Sequence, residues 1–226
     1  MTEGKYHLCI VAHPDDEAIF LGGIILKNTS LPWKVICLTD GNADGSGVAR
    51  KHDFEEACRS LGVVEFEVWG HPDVYGVRLP IDEIQKSFDK LEVPQAVFTH
   101  GPLGEYGHPH HQDTSLIVHK HFCGKCPVYS VAYNCYPDII VEIDEETYAR
   151  KVEILTKNYG SEFNRFAHLI PASFCEGYKE HKLSEVEALY RFLTKEAELD
   201  ISLIPNFASL AEHIKLQCSS DSKRIF

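Results

Sequence analysis

The chain has 226 residues, 44% of them hydrophobic, and carries a formal net charge of −12 at pH 7. That length and apolar content support a sizeable core and predict one domain over residues 1–226. The acidic balance excludes a general nucleic-acid or anionic-membrane binder, since no basic surplus is available to neutralise phosphates.

Leu8 to Ala12 is continuously apolar, which predicts a strand covered on both faces, and it stops at His13-Pro14. Asp15, Asp16 and Glu17 then precede a helix over Ala18 to Lys27, in which Gly22-Gly23 allow close approach to the sheet. Val35 to Thr39 reads as the second strand, followed by the turn-rich loop Asp40 to Gly47. Phe54, Ala57, Cys58 and Leu61 recur at helical spacing in the run Val48 to Leu61, which Gly62 closes as a C-cap. Val63 to Val68 and Ala96 to Thr99 are the third and fourth strands, with a helix over Ile81 to Leu91 between them. A helix over Gln112 to His121 and strands at Val128 to Ala132 and Ile139 to Ile143 come next. From Glu145 onward the pattern is largely helical, Glu185 to Leu199 included.

This alternation predicts an α/β fold: a Rossmann-like open, mostly parallel sheet with helices on both faces and strand order 3-2-1-4-5. The core spans about residues 5–143, and a mostly helical part covers 144–226. Ligands of such sheets bind beyond the C-terminal strand ends where the order reverses, here between the first and fourth strands.

Both of those strands run into a His-Pro pair. Carboxylates in the first turn of a helix need no function beyond capping, but capping leaves His13 and the crowding of Asp15 and Asp16 unexplained. A cation relieves that repulsion, and His13-x-x-Asp16 is a workable metal pair. With Pro109 as the first helical residue, His108 is the cap and His111 follows three residues on, facing the same side. His110 then points about 100° away, toward solvent or the loop. His111 is the expected third ligand, with His108 beside the site and His110 the alternative.

Ala12-His13-Pro14-Asp15-Asp16-Glu17 together with Gly107-His108-Pro109-x-His111 resembles the zinc-dependent N-acetylglucosaminyl deacetylases of the LmbE-like (PIG-L) family. Arg50-Lys51-x-Asp53-x-x-x-Ala57-x-x-x-Leu61-Gly62 is similar to that family's arginine-containing second helix, with Asp53 where glutamate is common. The resemblance covers residues 6–120 well and the C-terminal third weakly. It implies that His13, Asp16 and His111 bind zinc, that Asp15 is the general base, that a protonated His108 stabilises the oxyanion, and that Arg50 contacts the sugar. Iron or another divalent ion also suits two histidines and a carboxylate. The chain departs from the family at His110, commonly aspartate, and at Glu162 in Tyr159-Gly160-Ser161-Glu162, where glutamine is usual.

The expected activity is removal of the acetyl group from an N-acetylglucosamine-containing glycoside or conjugate. An amidase for another acyl group and a metal-binding protein without turnover are the alternatives, and the latter has no use for Asp15. The expected partner is a small amino-sugar substrate, with a homo-oligomer possible. The absence of a signal pattern or spanning apolar run, and the scattered cysteines within apolar patterns, predict a cytoplasmic protein with reduced thiols. Four further signals read as structural: a turn at His71-Pro72-Asp73, incidental cysteines at Cys123 and Cys126, a loop without phosphate cradling at Asp40 to Gly47, and helix-terminal cations at His119 and His121.

Overall fold

Alternating side chains along the first strand face opposite layers: Leu8 and Ile10 join one buried cluster, Cys9 and Val11 another. The computed structural model describes residues 5–160 and 175–219. Its strands are β1 (His7–Val11), β2 (Trp33–Thr39), β3 (Glu65–His71), β4 (Ala96–Thr99), β5 (Val128–Val131), β6 (Ile139–Glu142) and β7 (Cys175–Glu180). They form one sheet in the order β3-β2-β1-β4-β5-β7-β6. The first five are mutually parallel, as predicted, and β7 is antiparallel to both β5 and β6.

One face of the sheet is covered by α1 (Asp16–Lys27), α2 (Gly47–Leu61) and α5 (Glu145–Asn158), the other by α3 (Ile81–Phe88) and α4 (Pro109–Phe122). Helix α6 (Leu183–Leu193), two 3-10 turns and α7 (Ala211–Ser219) follow β7. Gly62 adopts the left-handed conformation at φ 82° and caps α2 as expected. No helix among the described residues is long and apolar enough to cross a membrane.

Strand β7 lies within a C-terminal part whose other described elements are helical, and the sequence reading did not expect it. Its inward positions are Glu176 and Tyr178, so a charge sits where the strand pattern calls for an apolar residue. The carboxylate of Glu176 reaches α1, accepting the N–H groups of Gly23 at 2.6 Å and Ile24 at 2.8 Å. Lys151 from α5 donates to Glu176 at 2.6 Å and to the Ile19 carbonyl at 2.8 Å, while the Tyr178 hydroxyl donates to Glu176 at 2.7 Å. Gly23 is required here, since a Cβ would lie 2.7 Å from the carboxylate.

Lys151 is fully buried, so Lys151→Met leaves Glu176 without its countercharge. Breaking such a pair costs about 3 kcal/mol, the low end being expected because three donors to Glu176 remain. Urea unfolding monitored by circular dichroism measures the loss. An unchanged midpoint would show that the pair contributes nothing.

Candidate metal centre

Strands β1 and β4 are neighbours, so the residues leaving their C-terminal ends meet at one sheet edge. His13 and Asp16 come from the exit of β1, His108 and His111 from the start of α4. His13 Nδ1, Asp16 Oδ2 and His111 Nε2 form a triangle with sides of 3.3, 3.4 and 3.2 Å. Tetrahedral ligands about 2.0–2.1 Å from zinc stand roughly 3.3 Å apart, so the three atoms fit that ion. Asp16 also accepts the His13 N–H at 2.8 Å, which fixes its rotamer. Burial tends to raise its carboxyl, but the surrounding imidazoles of His111, His100 and His13 hold it well below the usual range. Burial brings His111 down to about 4 and keeps it neutral. Carboxylate and neutral imidazole are the forms that ligate metal.

Two further groups behind the triangle escaped the sequence reading. Glu105 is buried and accepts His111 Nδ1–H at 2.6 Å, leaving Nε2 for an ion. Carboxylate partners of this kind set the tautomer of a metal-bound histidine. The same oxygen lies 3.1 Å from His100 Nδ1, and the other accepts the Gly101 N–H at 2.7 Å. His100 Nε2 in turn accepts the Ala12 N–H at 3.0 Å, tying the ends of β1 and β4 together.

Asp73 is the second. His71-Pro72-Asp73 does form the exit of β3, yet the Asp73 carboxylate is buried against the site, 3.4 Å from His110 Nδ1 and 3.7 Å from His13 Nε2. His110 therefore does not face solvent. It is buried, with Nε2 2.7 Å from the Val77 carbonyl and Nδ1 3.2 Å from His13 Nε2. Despite burial, the hydrogen bonds His110 donates to the Asp73 carboxylate and the Val77 carbonyl raise its pKa. The pair occupies the outer side of His13 and turns its other nitrogen toward the ion site. Because β3 is parallel to β1, its exit loop opens on the same edge, and that was the available signal. Asp73→Asn is expected to weaken metal affinity about tenfold, the lower end for outer-shell partners. Chelator competition reads this, and unchanged affinity would remove Asp73 from the metal support.

Asp15 stands beside the triangle in a strained conformation, φ 128° and ψ −30°, and its side chain does not cap α1. Its N–H donates to Glu17 at 3.1 Å, and its Oδ2 accepts Arg50 Nη2–H at 3.0 Å. Glu17 is thus more than a first-turn acid: it is fully buried, accepts the Tyr159 hydroxyl at 2.7 Å, and burial raises its carboxyl to about 7. Ser161 and Glu162 lie outside the described residues. Arg50 also donates to Pro14 O at 2.9 Å and Gly41 O at 3.2 Å, so both terminal nitrogens hold protein atoms rather than facing open solvent.

His108 caps α4, its Nδ1 accepting the His110 N–H at 3.2 Å, and its ring stands 4.5 Å from His13 and 4.7 Å from His111. Burial, reinforced by the neighbouring imidazoles of His111 and His13, pushes its pKa far down. That corrects the expectation of a protonated His108. With Nδ1 accepting, the proton of the neutral ring is on Nε2. His119 and His121 are corrected likewise: both are buried, His119 falls to about 4, and neither is a helix-end cation. Cys9, Cys37 and Cys58 are buried, and they, Cys123, Cys126, Cys135 and Cys175 are free thiols.

Residues 8–122 match the family model PIG-L, described as GlcNAc-PI de-N-acetylase. An uncharacterized protein of Acanthamoeba polyphaga mimivirus is 27% identical over 173 residues, 67% of this chain and 74% of that one. The N-acetylglucosaminyl-phosphatidylinositol de-N-acetylase of Saccharomyces cerevisiae is 29% identical over 133 residues, 52% of this chain and only 44% of the yeast protein. The structure of N,N'-diacetylchitobiose deacetylase from Pyrococcus horikoshii superposes with a TM-score of 0.67 at 22% identity, covering 80% of this chain and 85% of that one. With half of its length matched by the family model and the motifs assembled at one sheet edge, the chain belongs to the PIG-L family.

Proposed function

We propose that the chain is a metal-dependent hydrolase that removes the acetyl group from an N-acetylglucosamine-containing glycoside or conjugate. The observation that carries this is a donor triangle sized for zinc with a second, Arg50-held carboxylate, Asp15, beside it. A site built only to hold metal gains nothing from that carboxylate. The similarity to two deacetylases of N-acetylated amino sugars supports the substrate class.

His13, Asp16 and His111 would hold zinc, or iron in its place, and the ion would supply a Lewis acid and lower the pKa of water at its open position. Asp15 takes a proton from the attacking water and delivers it to the departing amine. Arg50 aims Asp15 by its 3.0 Å contact, and Asp15 carries the proton between those transfers. The neutral His108 donates its Nε2–H to the oxyanion that develops on the acetyl carbon. A preplaced donor of this kind is worth about 10²–10³ in rate.

Arg50→Ala is expected to lower kcat more than it raises KM, because the guanidinium's partners are Asp15 and the backbone around it. Steady-state kinetics separate the two; a change confined to KM would return Arg50 to the sugar. Amine release from a panel of N-acetylglucosaminyl conjugates, with and without chelator, tests the whole reading. Metal bound without turnover on any of them would sink it.

A further inference from the structure

A second constellation of nucleophile, base and orienting acid lies away from the metal centre, where the loop after β5 meets the start of α6. Cys135 Sγ is 3.9 Å from His181 Nε2, within reach of a sulfur hydrogen bond. His181 Nδ1–H donates to Glu185 Oε2 at 2.8 Å, so Nε2 carries the lone pair that faces the thiol. Asn206 fixes the acid from behind, its backbone N–H donating to Oε1 at 2.9 Å and its side-chain amide to Oε2 at 2.8 Å. The imidazole is stacked on Phe207 at 5.2 Å and 20°, which sets its plane. His181 and Glu185 are buried, whereas Cys135 is only half-buried and open to a small reagent.

We propose that Cys135, His181 and Glu185 form a second nucleophilic centre, at which Cys135 exchanges with small organic disulfides. The order thiol, imidazole, carboxylate is the arrangement that activates a nucleophile by an adjacent, oriented base. The Cys135 S–H proton passes to His181 Nε2 as the sulfur attacks one sulfur of the disulfide. One S–S bond forms to Cys135 and one breaks. The departing thiolate takes the proton from His181, leaving a mixed disulfide on the protein and one free small thiol. Cys135 is oxidised by the half of the reagent that is reduced, and no further oxidant is required.

Burial pushes the Cys135 thiol up to about 11, with Lys179 opposing and Glu185 and Asp138 reinforcing that shift. The thiol therefore keeps its proton at neutral pH, and a base in contact is what makes it reactive. Burial also tends to raise Glu185, but hydrogen bonds from His181 and Asn206 hold its carboxyl below the usual range, so it remains charged to support the imidazolium. Two other titratable groups act on His181: His119 from α4, its ring 6.3 Å away and itself neutral, and Asp138 from the loop after β5, whose carboxyl the imidazole helps to lower.

The full chain, incubated with oxidised glutathione and mapped cysteine by cysteine by mass spectrometry, tests this. Cys123 and Cys126 are the controls, since they are equally half-buried and neither bonds to an imidazole among the described residues. At pH 7 Cys135 is expected to react at least about tenfold faster than either, a conservative share of what a general base contributes. Its rate should not climb tenfold per pH unit toward 11, as it would if only the ionised thiol reacted. His181→Gln should remove the advantage while leaving the exposed Cys175 unaffected. Reaction at the pace of Cys123 and Cys126, a log-linear pH profile, or indifference to His181→Gln would each overturn the proposal. If that variant does not fold, Glu185→Gln and the pH profile of the unaltered protein decide.

Discussion

Replacing Asp15 by asparagine is expected to leave metal content unchanged and to lower kcat by about 10²–10⁴-fold, the range that a positioned general base contributes. Asparagine is the informative substitution because the residue sits at φ 128°, where Asn and Asp are tolerated better than most side chains. Its amide oxygen can still accept from Arg50, so the local backbone and the 3.0 Å contact are preserved while the basic oxygen is lost. Alanine would remove both at once and confuse strain with chemistry. The measurement is metal stoichiometry alongside amine release at saturating substrate. Turnover near the parent rate would refute Asp15 as the base.

His111→Ala has the opposite signature, since the loss falls on metal content first. One corner of the triangle disappears, and Glu105 keeps His100 and the Gly101 N–H but loses its closest imidazole. Outer-shell changes cost about 10–100-fold in metal affinity, and loss of a ligand is expected to exceed that range. Dialysis against a weak chelator followed by metal analysis should find the variant empty while the parent retains its ion. Normal stoichiometry would mean that His110 serves in its place. Against that, the His110 nitrogens face Val77 O, Asp73 and the outer side of His13 rather than Asp16.

Much of this centre was legible because its residues are consecutive or fixed by short-range rules. An apolar strand must end before proline, a proline opens a helix, and residues three apart on a helix share a face. Those rules assigned His13, Asp16, His108 and His111 to one edge, and the parallel order 3-2-1-4-5 followed from strand and helix alternation. What they missed are residues whose partners lie far away in sequence. Asp73 resembled a turn because nothing near it in the chain needs a carboxylate; its partners are 60 residues away at one end and 37 at the other, His13 at 3.7 Å and His110 at 3.4 Å. Strand β7 was hidden because its inward Glu176 satisfies backbone donors of α1 and Lys151, none of them adjacent in sequence.

The sequence by itself determined the order of the elements as far as β6, the sheet edge where two His-Pro exits meet and the three side chains proposed as metal ligands, because these depend on local periodicity and on which residues leave two strands. Only the tertiary structure decided the protonation and orientation of those groups. It buried His108 among other imidazoles, which makes it neutral, turned His110 inward onto Asp73, and committed Arg50 to Asp15. Charge state and tautomer are set by desolvation and by distant hydrogen-bond partners, and neither is written in the spacing of residues along a chain.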